Sequence, residues 1–257
     1  MPDLNQVFVY EDEAGAEAAS ARPSRSERTL EGEAAMDVAL TATDGLRGSL
    51  ESVVVRGSHP TRGVTDSGIS AVAGELLQAK NCAYVGDQGV SGLICSTTAS
   101  LAKVFLQGLS ITDPSLAVIG YCGKGITNLT LTRLSSVGER VFWVMANALG
   151  LQKLRCMSIT SCPGVIQLAL VSIAKFCPSL KQLYLRKCSQ ISDGLLKDFT
   201  EASKVLENLQ IEECNRVTLT GILSFLLNCS PKSKALSLVK CTGIKDIWIT
   251  VSYCPSS

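Results

Sequence analysis

The phrase Leu180-Lys-Gln-Leu183-Tyr-Leu185-Arg-Lys-Cys188 constrains this 257-residue chain more than any other feature, because it recurs. It returns as Leu206-Glu-Asn-Leu209-Gln-Ile211-Glu-Glu-Cys214, upstream as Leu154-Arg-Cys-Met157-Ser-Ile159-Thr-Ser-Cys162, and downstream as Leu236-Ser-Leu238-Val-Lys-Cys241. The closing cysteines are 26, 26 and 27 residues apart. Units this short bury their apolar faces by stacking on one another. The same phase continues toward the N-terminus with looser wording, in Val53 to Val55, Leu77 to Ala79 ending at Cys82, Val104 to Leu106 and Leu129 to Leu131. About eight units therefore run from about Leu50 to about Ile247.

Within each unit the apolar residues first alternate, which puts them on one side of a strand and their neighbours on the other. A helical pattern follows, as in Asp66 to Val72, Asp87 to Leu93 and Asp113 to Ile119, where the aspartates are expected to act as N-caps. Pro114 suits a first helical turn. The period and the L-x-x-L-x-L-x-x-C wording predict an α/β fold: a leucine-rich-repeat solenoid of the cysteine-containing type. Short parallel strands would line its concave face and helices its convex face. The solenoid is expected over residues 29–247, with a helical cap from Leu30 to about Thr43 carrying Met36, Val38 and Leu40. Residues 1–28 read as a polar, acidic, disordered tail, and residues 248–257 as an irregular one.

Cysteine usage supports the same picture. Eleven cysteines with no basic and apolar leader at the N-terminus point to reduced thiols inside the cell. Their spacing lacks the close ligand pairs of a zinc site, so those closing each strand read as small buried residues in a column.

Little in the chain suggests chemistry. A formal net charge of +1 with 18% charged residues gives no reason to expect nucleic acid or an anionic membrane as partner. No run approaches the ~18 apolar residues of a membrane span. The single histidine, His59, sits in a loop-like stretch with no partner for nucleophilic catalysis. Gly86 to Gly89 and Gly120 to Gly123 lack a phosphate-binding fingerprint. Asp66, Asp87, Asp113 and Asp193 recur once per unit, as caps would. No enzyme, cofactor or metal is expected. A protein-binding surface is, along the outward strand positions: Arg56, Lys80, Phe105 and Gln107 toward one end, and Tyr184, Arg186, Gln210 and Glu212 toward the other. Phe105, Tyr184 and Arg186 are of the types enriched at binding hot spots.

Several longer phrases carry a resemblance. Gly63-Val-Thr-Asp66-Ser-Gly-Ile-Ser-Ala-Val72, Ile111-Thr-Asp-Pro-Ser-Leu-Ala-Val-Ile-Gly120, Phe142-Trp-Val-Met145 with Gly150-Leu-Gln-Lys-Leu154, and Lys234-Ala-Leu-Ser-Leu238 resemble the plant F-box/leucine-rich-repeat proteins of ethylene signalling. The resemblance spans Leu30 to about Ile247. It implies a nuclear (otherwise cytoplasmic) receptor that brings ethylene-insensitive-type transcription factors to an SCF ubiquitin ligase for proteasomal degradation. The chain departs from that family in two respects. Nothing in Met1 to Arg28 resembles an F-box, so Skp-type adaptor and cullin are expected partners only if an F-box is supplied. Repeats also look dropped around Ala73 to Gly74 and after Ile247. The alternatives are a scaffold or inhibitor uncoupled from the ligase, and an inert fragment.

Overall fold

A repeating sequence with one strand phrase per unit should lay its strands side by side in chain order, and it does. The computed structural model describes residues 27–31, 52–56, 65–70, 76–97, 100–229, 232–244 and 249–252. Its strands are β1 (Glu27–Glu31), β2 (Ser52–Arg56), β3 (Leu76–Lys80), β4 (Lys103–Gln107), β5 (Asn128–Thr132), β6 (Cys156–Thr160), β7 (Gln182–Arg186), β8 (Asn208–Glu212), β9 (Ala235–Val239) and β10 (Ile249–Ser252). They form one sheet in sequence order. β1 to β9 are parallel to their neighbours, and β10 is antiparallel to β9. Between strands lie helices α1 (Asp66–Ser70), α2 (Asp87–Ser96), α3 (Asp113–Cys122), α4 (Glu139–Asn147), α5 (Gln167–Phe176), α6 (Asp193–Ala202) and α7 (Leu219–Asn228). Each helix packs on the helix of the next unit, and each strand on the next strand. This is a solenoid-like α/β repeat. No helix among the described residues is long and apolar enough to cross a membrane.

The register explains the core. Leu77 pairs with Val104, Val104 with Leu129, Leu129 with Met157 and Met157 with Leu183, with no stagger between strands. The inward positions of β3 to β9 are therefore stacked columns, every member no more than 2% exposed. Helix residues such as Leu116, Phe142, Ile173 and Phe199 close the other side of the core. Each such side chain contributes about 1.5–3 kcal/mol by leaving water.

The turns after β3 to β9 are built alike. Asn81, Arg133, Ser161, Lys187, Glu213 and Lys240 all have φ between 51° and 53°, and Gly108 has φ 58°. This left-handed kink is uncommon for non-glycine residues. It aims the backbone N–H along the stack: Asn81 donates to the Gln107 carbonyl, Ser161 to that of Arg186 and Lys187 to that of Glu212, at 2.8–3.0 Å. The next residue in five of these turns is a buried cysteine: Cys82, Cys162, Cys188, Cys214 or Cys241. The Cys82 thiol lies 3.3 Å from the Lys80 carbonyl of its own strand. Each of the other four lies against two carbonyls, one from its own strand and one from the strand before, at 3.4–3.8 Å for Cys162 and Cys214 and 3.3–3.7 Å for Cys188. The column of small buried cysteines is thus also a column of weak donors.

The aspartates are not the caps expected of them. Gly86, Thr112 and Ser192 hold the N-cap positions of α2, α3 and α6, without side-chain caps. The aspartate lies one place later and reaches forward to the following unit. Asp66 accepts from Gly86 N at 2.6 Å, Asp87 from Thr112 N at 2.8 Å, Asp113 from Gly138 N at 2.6 Å and Asp193 from Thr218 N at 2.7 Å. Asp87 also accepts from the Thr112 hydroxyl and from Ser115 Oγ at 2.5 Å. Burial alone would raise the Asp87 pKa, but the bonds from Ser115 and Thr112 outweigh it and hold the carboxyl below its ordinary value.

The ends also differ from expectation. Glu27–Glu31 is a strand added in parallel to β2, where a tail and then a helical cap were expected. Ile249–Ser252 is a strand closing the edge of β9, where irregular chain was expected. Backbone pairing explains both, since an open strand edge offers unpaired N–H and C=O groups to whatever chain lies beside it. Residues 1–26, His59, Trp248 and the expected cap residues Met36, Val38 and Leu40 lie outside the described residues.

Candidate protein-binding strand face

Strands of five residues put their second and fourth side chains into the core and leave the first, third and fifth on the open face. In-register stacking then makes three rows. The middle row runs Gln78, Phe105, Thr130, Ser158, Tyr184, Gln210 and Ser237. The row at the strand ends runs from Lys80 through Gln107, Thr132, Thr160 and Arg186 to Glu212 and Val239. All seven candidate residues with described side chains, Lys80, Phe105, Gln107, Tyr184, Arg186, Gln210 and Glu212, lie half-buried on this face. Arg56 pairs with Lys80 at the head of the third row, but its side chain lies outside the described residues.

The candidates form two groups. Lys80, Phe105 and Gln107, with Gln78, Thr130 and Thr132, line a shallow depression of about 80 Å³. Tyr184 lies between Ser158 and Gln210 on adjacent strands. Phe105 and Tyr184 are separated only by Thr130 and Ser158 along their row. At the ~4.8 Å spacing of paired strands the two aromatic positions are about 14 Å apart, with a floor of hydroxyl groups between them.

The second group is wired internally. Arg186 Nε lies 3.5 Å from Glu212 Oε1, and its guanidinium meets Glu213 Oε1 at 3.1 Å. Lys187 Nζ lies 3.5 Å from Glu213 Oε2. Arg186 and Glu212, expected as separate contacts for a partner, thus restrain one another. A planar guanidinium held by two carboxylates keeps one orientation, so this end of the face is preorganised. Burial, and secondarily the adjacent Cys156, push the Tyr184 phenol above its ordinary pKa, leaving a neutral O–H donor near pH 7.

Sequence reasoning missed the row at the strand starts. Asn128, Cys156, Gln182 and Asn208 stand side by side there, all half-buried. Counting period-two positions outward from the leucine core by one further step would have found them. Asn128, Gln182 and Asn208 carry amide groups that both donate and accept, which suits a peptide backbone. Burial pushes the Cys156 thiol up to about 11, so it stays protonated and weakly nucleophilic. Two core thiols are also raised: burial brings Cys177 to about 12, and the neighbouring Cys214 sulfur together with burial pushes Cys188 up, while the same contact lowers Cys214.

Among the described residues no three His, Cys, Asp or Glu side chains are grouped to hold a metal ion. No family model matches the chain.

Proposed function

We propose that this chain is a cysteine-containing leucine-rich-repeat solenoid that recognises another protein through its strand face. The observation that carries this is the pair of half-buried aromatics, Phe105 and Tyr184, flanking a row of hydroxyls and amides on a rigid in-register sheet. Aromatic anchors on a preorganised polar floor are the ingredients of a binding hot spot. Their spacing of about 14 Å matches about four residues of extended chain, so the partner segment would carry apolar side chains about four positions apart.

The wording of the repeats supports a narrower reading. By resemblance to the plant F-box/leucine-rich-repeat proteins, the partner is an ethylene-insensitive-type transcription factor. The chain would act in the nucleus as the recognition part of an SCF ubiquitin ligase, with a Skp-type adaptor engaged only where an F-box is supplied. A scaffold or inhibitor uncoupled from the ligase is the alternative.

A pull-down of the full chain against that transcription factor and a Skp-type adaptor tests both levels. Capture of the factor, weakened about tenfold or more by Phe105→Ala or Tyr184→Ala but unchanged by Leu168→Ala on the helical side, is the expected result. Equal capture by all three variants refutes the strand face as the binding surface. Capture of the adaptor together with the factor assigns the chain to the ligase, and capture of the factor alone assigns it to the uncoupled alternative.

A further inference from the structure

The cysteines that follow the strands are buried and sit against carbonyl groups, whereas Cys95 and Cys122, near helix ends, lie against each other. Cys95 near the end of α2 is exposed, and Cys122 at the end of α3 is half-buried. Their sulfurs are 3.3 Å apart, the Cys95 S–H donating to Cys122 Sγ. The two residues lie 27 positions apart in neighbouring units whose helices pack together.

We propose that Cys95 and Cys122 form an oxidisable dithiol site, which a hydroperoxide converts to a disulfide stapling α2 to α3. The contact between the two sulfurs sets the order of events. The proton that Cys95 shares with Cys122 is held on Cys95, whose pKa is raised first by that contact and then by burial. Cys122 Sγ, the acceptor in that contact, is the sulfur that attacks. Its thiolate displaces hydroxide from hydrogen peroxide, giving Cys122 sulfenic acid, and the hydroxide leaves as water with the thiol proton. Cys95 sulfur then attacks Cys122 sulfur: the S–S bond forms, the S–O bond breaks, and a second hydroxide leaves as water with the Cys95 proton. Two thiols and one peroxide become one disulfide and two waters. The sulfurs close from 3.3 Å to about 2.05 Å, a movement within the reach of side-chain rotation at helix ends.

The consequence is local. α2 and α3 follow β3 and β4, the strands that carry Lys80, Phe105 and Gln107. Units of a solenoid touch only their neighbours, so a crosslink between two units acts on the contact between those two. A staple between these two units holds that depression together. The site does not depend on what the strand face binds.

The full chain, treated with a small excess of hydrogen peroxide and then mapped by mass spectrometry after blocking free thiols, tests this. The expected result is a Cys95–Cys122 crosslinked peptide forming ahead of any other among the eleven cysteines. A dithiothreitol-reversible rise in melting temperature of about 5–10 °C should accompany it. Cys95→Ser should abolish both, leaving Cys122 as a singly oxidised residue. Cys156→Ser, which removes a thiol on the strand face, should change neither. The proposal is overturned if Cys188–Cys214 crosslinks first. It is equally overturned if Cys95 and Cys122 stay reduced, or if each is oxidised separately without a crosslink.

Discussion

Replacing Asp87 by alanine separates two roles for the recurrent aspartates. Asp87 opens α2 yet spends its oxygens on the following unit, accepting from Thr112 N at 2.8 Å, from the Thr112 hydroxyl and from Ser115 Oγ at 2.5 Å. Bonds to a charged acceptor are worth about 1.5–3 kcal/mol each, but three on one carboxylate are not additive. Ser115 is 0% exposed, so its hydroxyl would lose its partner in a site closed to water. Together these give an expected loss of about 3–4 kcal/mol for Asp87→Ala. Asp113 makes one equivalent bond, to Gly138 N at 2.6 Å, and Asp113→Ala should cost about 1–2 kcal/mol. Urea unfolding followed by circular dichroism gives both values, and hydrogen exchange at the start of α3 should rise most in the first variant. Were each aspartate merely the cap of its own helix, both variants would lose about 1 kcal/mol. Losses within about 0.5 kcal/mol of each other refute the cross-unit role. Because the folded-state pKa of Asp87 lies below its ordinary 3.8, its contribution is present above that value and disappears as pH falls below it.

Two further outcomes follow from the stacking. A Cβ on Gly120 would lie 2.5 Å from the Met145 carbonyl oxygen and 2.6 Å from its Cα. Gly120→Ala, favoured by about 1 kcal/mol in an isolated helix, should instead destabilise the chain by about 1–3 kcal/mol; a raised melting temperature would refute that close approach of α3 and α4. Glu207 bridges Lys181 at 2.7 Å and Lys234 at 2.5 Å across three units, and both lysines, Lys181 first, hold its pKa below 4.5. A carboxylate with a depressed folded-state pKa stabilises above its unfolded value and loses that stabilisation as pH falls through the folded one. The melting-temperature advantage of the native chain over Glu207→Gln should therefore shrink below pH 4.5. It should be small, since the lysine side chains are 55% and 66% exposed, and it should fade with added salt. An advantage independent of pH would show that the bridge contributes nothing.

Most of the strand face was legible in the chain because a strand reports its two sides directly. Once Leu183 and Leu185 are placed inward, Tyr184 and Arg186 have no other side to occupy. The row of Asn128, Gln182 and Asn208 was equally available, but it lies before the leucines that mark each strand and so drew no notice. The helices too were marked by their apolar spacing, although their first residues were assigned the wrong partner.

Where sequence reasoning failed, the deciding atoms belong to another unit. Local pattern distinguishes strand from helix and inside from outside, because both follow from the geometry of a few consecutive residues. It cannot tell whether Asp87 turns back to its own helix or forward to Thr112, since both donors sit at hydrogen-bonding distance from plausible rotamers and only the packed neighbour selects one. The same holds for Arg186, which meets Glu213 27 residues on, and for Cys95, which meets Cys122 at the same separation. It holds for Gly120, whose missing side chain matters only because Met145 occupies the space. The chain itself dictated the repeat, its register and its faces through periodic apolar burial. Only tertiary stacking, which brings residues one unit apart into contact, decided which polar groups join the units.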